Sequence, residues 1–146
     1  MTELVDNQKV TRSFWIISGL ALGWNLIGVV SYLASVMISP EALETLTEAE
    51  RTLHNSTPAW ATGAYAIAVF AGTLASIALL LKKAWAIPVF ILSLVGILVQ
   101  MGHAFFMSDM LAIQGAGAAV LPVLIIIVAV YLVWYSSESR KKGWIA

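Results

Sequence analysis

The sequence predicts an all-α polytopic membrane protein: four transmembrane helices in an up-down bundle, with a short amphipathic helix in the first extracytoplasmic loop. Three observations carry this. Only 11% of the 146 residues are charged and 60% are hydrophobic, whereas a soluble domain is about 25% charged. The charges are also confined, because Ser13–Pro40, Thr52–Leu81, Ala84–Ser108 and Met110–Ser137 contain no Asp, Glu, Lys or Arg. Each of these segments exceeds the roughly 20 apolar residues that a helix needs to cross about 30 Å of hydrocarbon. Lipid cannot satisfy backbone N–H and C=O groups, so such runs become helices rather than open strands.

The elements follow in order. The first span, about Phe14–Ile38, is longer than the 7–15 residues of a signal-peptide core, and its leading tail mixes Glu3 and Asp6 with Lys9 and Arg12, so it reads as a retained helix. In the loop Ser39–Pro58, Ser39 can cap a helix with Pro40 at its first position, and Glu41 and Glu44 suit the positive end of the helix dipole. Leu43, Leu46 and Leu53 recur at near-helical spacing among polar neighbours, the pattern of a helix lying on a surface. Thr57-Pro58 ends it. The second span, about Ala59–Leu81, and the third, about Ala84–Met107, are separated by little more than Lys82-Lys83, which forces a tight antiparallel hairpin. The glycine-rich stretch Ile113–Gly117 forms a turn before the fourth span, about Gly117–Tyr135, and the whole of 1–146 forms one membrane domain.

Lys and Arg accumulate on the cytoplasmic side of membrane proteins. With both termini in the cytoplasm, Lys9, Arg12, Lys82, Lys83, Arg140, Lys141 and Lys142 lie inside and only Arg51 outside, while Glu41, Glu44, Glu48, Glu50 and Asp109 make the outer side acidic. The tryptophans agree: Trp15, Trp85 and Trp134 fall at predicted inner ends and Trp60 at an outer end, where amphipathic rings prefer to sit. Only Trp24 is deep.

Composition excludes several functions. A net charge of zero without a basic stripe offers no footprint for nucleic acid. Without cysteine there is no disulfide, thiolate nucleophile or iron–sulfur cluster. The spans hold one histidine, which argues against haem held between facing helices, and no carboxylate, which argues against proton-coupled antiport. No cofactor, metal or catalytic group is expected, and the chain reads as non-enzymatic.

What remains is a set of polar and small residues at helical spacing. His103 is the single ionisable side chain in the predicted spans, and Ser93, Gly96, Gln100 and His103 share one helical face. Ser18, Ala21, Asn25, Gly28, Tyr32 and Ser35 form a second stripe on the first span. Ala64, Ala68, Gly72 and Ser76 make a small-xxx-small seam for helix packing, a motif that Gly19 and Gly23 repeat. Counting inward at 1.5 Å per residue, Tyr32 and Tyr65 lie roughly 9 Å below the outer surface, His103 about 6 Å and Gln100 about 10 Å. With Asn25 deeper, Asn25, Tyr32, Tyr65, Gln100 and His103 are the candidate substrate-binding set. Asp109, six residues beyond His103, would stand about 240° away on a continuing helix and need not share its face.

The order Lys-Val-Thr-Arg-Ser-Phe-Trp-Ile-Ile (Lys9–Ile17), Leu22-Gly23-Trp24-Asn25-Leu26, Thr57-Pro58-Ala59-Trp60, Leu98-Val99-Gln100-Met101 and Tyr131-Leu132-Val133-Trp134-Tyr135 resembles small four-span bacterial inner-membrane proteins. Some of these carry the label "sugar transporter". The resemblance implies a bacterial inner membrane and brings no functional residues with it. Two readings stay open. One is a non-catalytic membrane module in a homo-oligomer or bound to a membrane-protein partner; the other is a small transporter or channel for a neutral or weakly cationic, sugar-like solute.

Overall fold

The computed structural model describes residues 10–108 and 110–146. Glu3, Asp6, Lys9 and Asp109, which the charge map uses, lie outside the described residues. The long helices are α1 (Arg12–Val36), α4 (Ala59–Leu80), α5 (Ala86–Gly102, prolonged by a π turn over His103–Met107) and α7 (Val120–Lys141). All four are long and apolar enough to cross a membrane, which makes this a multi-pass membrane protein. Between them lie α2 (Pro40–Glu44), α3 (Glu48–Asn55), α6 (Met110–Gln114) and a 3-10 turn over Ala116–Ala119. The described residues contain no strand.

The first loop differs from expectation in one respect: its helix comes in two pieces. Ser39 caps α2 as expected, its side chain accepting from the Ala42 amide. Thr47 then restarts the chain with a capping box, accepting from Glu50 N while the Glu50 carboxylate accepts from Thr47 N, both at 3.1 Å. A residue whose side chain binds the next amides cannot also continue the preceding helix, so the break falls there. Arg51 ties the pieces together by donating to the Leu43 and Leu46 carbonyls at 3.2 Å.

The fourth helix also departs from its expected bounds, starting at Val120 and running to Lys141. Hydropathy marks the edge of the apolar layer, but caps decide where a helix stops. Beyond Tyr135 the hydroxyls of Ser136 and Ser139 fold back onto the Val133 and Tyr135 carbonyls, and Glu138 pairs with Lys141 at 3.2 Å. The helix then ends in a Schellman motif, with Gly143 at φ 79° and Trp144 N donating to Ser139 O.

In space α4 is central, flanked by α1 and α5, and α5 carries α7. The contact between α4 and α5 is made by small residues. Ser93 Oγ donates to Ala68 O at 2.6 Å across the pair. A Cβ on Gly96 would stand 2.9 Å from Ala64 O and 3.0 Å from Ala68 N. Asn25 of α1 enters the same seam, its amide donating to Ala21 O at 2.8 Å and to Ser76 Oγ at 3.3 Å, while its Oδ1 lies against Gly72. Ala64, Ala68, Gly72 and Ser76 are thus buried in packing, whereas Gly19 and Gly23 face away from the bundle with no neighbour within 4 Å.

The end of the bundle at Lys82-Lys83, the hairpin end, is filled. Phe14, Leu79, Phe90, Leu132, Tyr135 and Ile145 form one buried cluster. Phe14 of α1 stacks on Tyr135 of α7 at 6.4 Å and meets Trp144 edge-on at 5.8 Å. The tail then pairs with the hairpin turn: Ala84 N donates to Ala146 O and Ala146 N to Lys82 O. The turn itself is a second Schellman motif, with Lys82 N on Leu79 O and Lys83 N on Ala78 O. Here a lysine at φ 61° occupies the left-handed position that Gly143 fills on α7.

Two predictions follow from this packing. Gly96→Ala must push backbone against backbone and should lower stability by about 1–3 kcal/mol, whereas Gly63→Ala, which meets nothing within 4 Å, should leave it unchanged or raised; thermal unfolding in detergent compares the two. Lys82→Gly relieves a left-handed side chain and should raise stability by about 1 kcal/mol in the same assay.

Candidate functional site

At the opposite, loop end the long helices open around a cavity of about 360 Å³. Ser35 and Val36 in the last turn of α1, Ala61, Thr62 and Tyr65 of α4, and Gln100, His103, Ala104 and Ser108 on α5 and its extension form the walls. Leu53 and His54 of α3, Thr57 and Met110 complete them.

Each polar group reaches the cavity for a local reason. On α5 the Ser93–Gly96–Gln100–His103 face divides by depth: Ser93 and Gly96 are consumed in contact with α4, and one turn further on Gln100 and His103 clear that contact and face open space. The π turn begins at His103. Such a turn takes up one extra residue and re-aims the side chains that follow it. Ser108 closes it by donating to Ala104 O at 2.7 Å, and its hydroxyl also accepts from Met110 N. His103 is held edge-on against the Trp60 ring at a centroid distance of 5.3 Å. Tyr65 is backed by Tyr32, edge-on at 5.2 Å, and Tyr32 in turn rests on Phe70 at 5.7 Å.

The structure therefore brings together three of the five candidate residues, Tyr65, Gln100 and His103. Tyr32 does not line this cavity; it is the support behind Tyr65. Asn25 lies deeper, in a second cleft of about 290 Å³ that Tyr65 and Gln100 also line, and its amide is already used in packing. Sequence reasoning missed His54, Thr57, Thr62 and Ser108 and left Ser35, though on the polar stripe of the first span, out of the candidate set. Thr62 lies one helical turn before Tyr65, a legible signal, and His54 ends the amphipathic loop segment. Ser108 arrives through the π turn, which nothing in the spacing announces.

The side chains of His54, Tyr65, Gln100 and His103 make no hydrogen bond to another described residue, and all four are only partly exposed. No described residue lining the cavity carries a fixed charge, and the Arg51 guanidinium, on α3 two residues before Leu53, donates to the Leu43 and Leu46 carbonyls. Among the described residues no group of three His, Cys, Asp or Glu side chains is placed to hold a metal ion. The arrangement offers hydrogen-bond donors and acceptors from three sides with no permanent charge among them, suited to hydrogen-bonding an uncharged solute.

The chain is thus a four-span bundle filled at the hairpin end and hollow, with hydrogen-bonding walls, at the loop end. No family model, curated protein or solved structure matches the chain.

The cavity is open to a direct chemical check because the chain has no cysteine. Single substitutions Thr62→Cys and Ser108→Cys should react with a membrane-impermeant maleimide many-fold faster than Ser93→Cys or Ser76→Cys, whose sites are buried between helices. Equal rates at all four positions would show that the cavity does not reach water.

Proposed function

We propose that this is a non-catalytic membrane protein that holds a small, uncharged or weakly cationic, hydrogen-bonding solute in the loop-end cavity. The observation that carries the reading is the gathering of His54, Tyr65, Gln100 and His103 on one cavity without protein partners among the described residues. A hydrogen bond that replaces one to water is worth about 0.5–1.5 kcal/mol, so a bound molecule that pairs several of these partly exposed groups gains affinity and orientation together. The acidic residues Glu41, Glu44, Glu48 and Glu50 on the first loop favour a weak cation over an anion.

The charge distribution supports an orientation with both termini in the cytoplasm and the cavity facing outward. The resemblance to small inner-membrane proteins, some labelled as sugar transporters, implies a bacterial inner membrane. A single chain holds the solute rather than conducting it, since the buried cluster around Phe14, Leu79 and Phe90 fills the hairpin end. Gly19 and Gly23, four residues apart on an open face of α1, favour self-association or a membrane-protein partner.

Calorimetric titration of the purified protein with neutral sugars, polyols and small amines tests this. His103→Ala and Gln100→Ala should each weaken binding of the best solute by about tenfold, the loss of one hydrogen bond of about 1.4 kcal/mol. Absence of binding across the panel, or unaltered binding by both variants, would refute the reading, and flux in proteoliposomes distinguishes holding from transport.

A further inference from the structure

The second cleft extends what the cavity can accept. It runs between α1 and α7, with Trp24, Gly28 and Ser31 on one side and Leu121 and Ile125 on the other, over a floor that includes Ile97 and Met101. It exists because α1 and α7 meet only at the hairpin end, where Phe14 stacks on Tyr135, and stand apart toward the loop end. Its rim is on the outer surface of the bundle: Ile27 is 66% and Leu121 58% exposed. The opening therefore faces sideways, at the depth of the apolar spans, rather than toward either end.

The cleft and the loop-end cavity share Tyr65 and Gln100 as a common wall. Side by side across Tyr65 and Gln100, they set a polar compartment of about 360 Å³ at the loop end against a more apolar one of about 290 Å³ between α1 and α7, each near the lower end of the roughly 300–1,000 Å³ that ligand sites occupy. No described residue lining either part carries a fixed charge to hold a phosphate. A purely polar solute leaves the apolar half unused, and a hydrocarbon leaves Gln100, Tyr65 and His103 unpaired.

We propose that the occupant is a single-chain amphiphile with an uncharged, hydrogen-bonding headgroup: the head lies against Gln100, Tyr65 and His103, and the chain lies in the cleft, entering sideways from the bilayer. This rests on the cavity reading above and names the ligand class of the same site.

The test is photolabelling of the full chain in phosphatidylcholine vesicles by a monoacylglycerol with a diazirine on its chain, with adducts mapped by mass spectrometry. Adducts should concentrate on Ile27, Leu121 and the half-buried Ile125 over the exposed lipid-facing residues Leu20, Ile91 and Leu98. Leu121→Trp and Ser31→Trp, both at exposed rim positions, should reduce cleft adducts several-fold, and Gln100→Leu should reduce them for the monoacylglycerol but not for a diazirine-bearing alkane. Diazirine-labelled phosphatidylcholine and phosphatidylglycerol should mark all outward faces evenly. Even labelling by the monoacylglycerol, or equal cleft labelling by the phosphatidylglycerol probe, would overturn the proposal. If cleft labelling fails while a soluble solute of the titration panel still slows maleimide attack on Thr62→Cys, the cavity reading stands and the amphiphile is excluded. If neither occurs, both fall.

Discussion

The contact between α4 and α5 is the constraint on which the other features rest. Two membrane helices have little hydrophobic drive to associate, since lipid is as apolar as their side chains; close backbone approach and interhelical hydrogen bonds must hold them. Gly96 supplies the approach, lying against the backbone at Ala64 and Ala68, and Ser93 supplies the hydrogen bond to Ala68 O. The short Leu81–Trp85 link leaves little freedom for another register. Once this pair is set, the depth of every residue on α5 relative to α4 is set too, and Gln100 and His103 stand opposite Thr62 and Tyr65 as a consequence.

The first helix joins that pair through a different device. Asn25 takes its place because Gly72 leaves room for it, and its amide is satisfied by Ala21 O and Ser76 Oγ. The fourth helix has no comparable polar anchor in the middle of the bundle. It is fastened at the hairpin end by aromatic stacking and by the tail that pairs with the Lys82–Ala84 backbone. Beyond that end α7 stays packed on α4 and α5 through Ala68, Ile97, Met101 and Ala129 but parts from α1, and that separation is the cleft.

The frame was legible in the sequence because charge and hydropathy act directly on where a chain crosses lipid. Four spans, the tight hairpin and the Ser39–Pro40 helix start could be read because each rests on a local rule. The seam residues Ala64, Ala68, Gly72 and Ser76 could be read from spacing, although spacing could not show that Gly19 and Gly23, with the same pattern, face away from the bundle. Tyr65, Gln100 and His103 were found from depth counting. Tyr32 satisfies the same count and Asn25 lies deeper, but both are spent on neighbours, one as a support for Tyr65 and one in the seam, and which polar residue is spent is decided by partners far along the chain. The π turn that delivers Ser108, and the capping box at Thr47 that splits the loop helix, depend on competition between nearby hydrogen bonds that periodicity does not reveal.

The two loop helices α2 and α3 bury no residue, and neither contributes to the buried clusters that hold the bundle. Yet α3 supplies Leu53 and His54 to the cavity wall. Recognition at the mouth and cohesion of the frame are thus encoded in separable parts of the chain. Substitutions or insertions in Ser39–Thr57 can retune what enters without disturbing the helices beneath, so the loop is where ligand preference can diverge at the smallest structural risk.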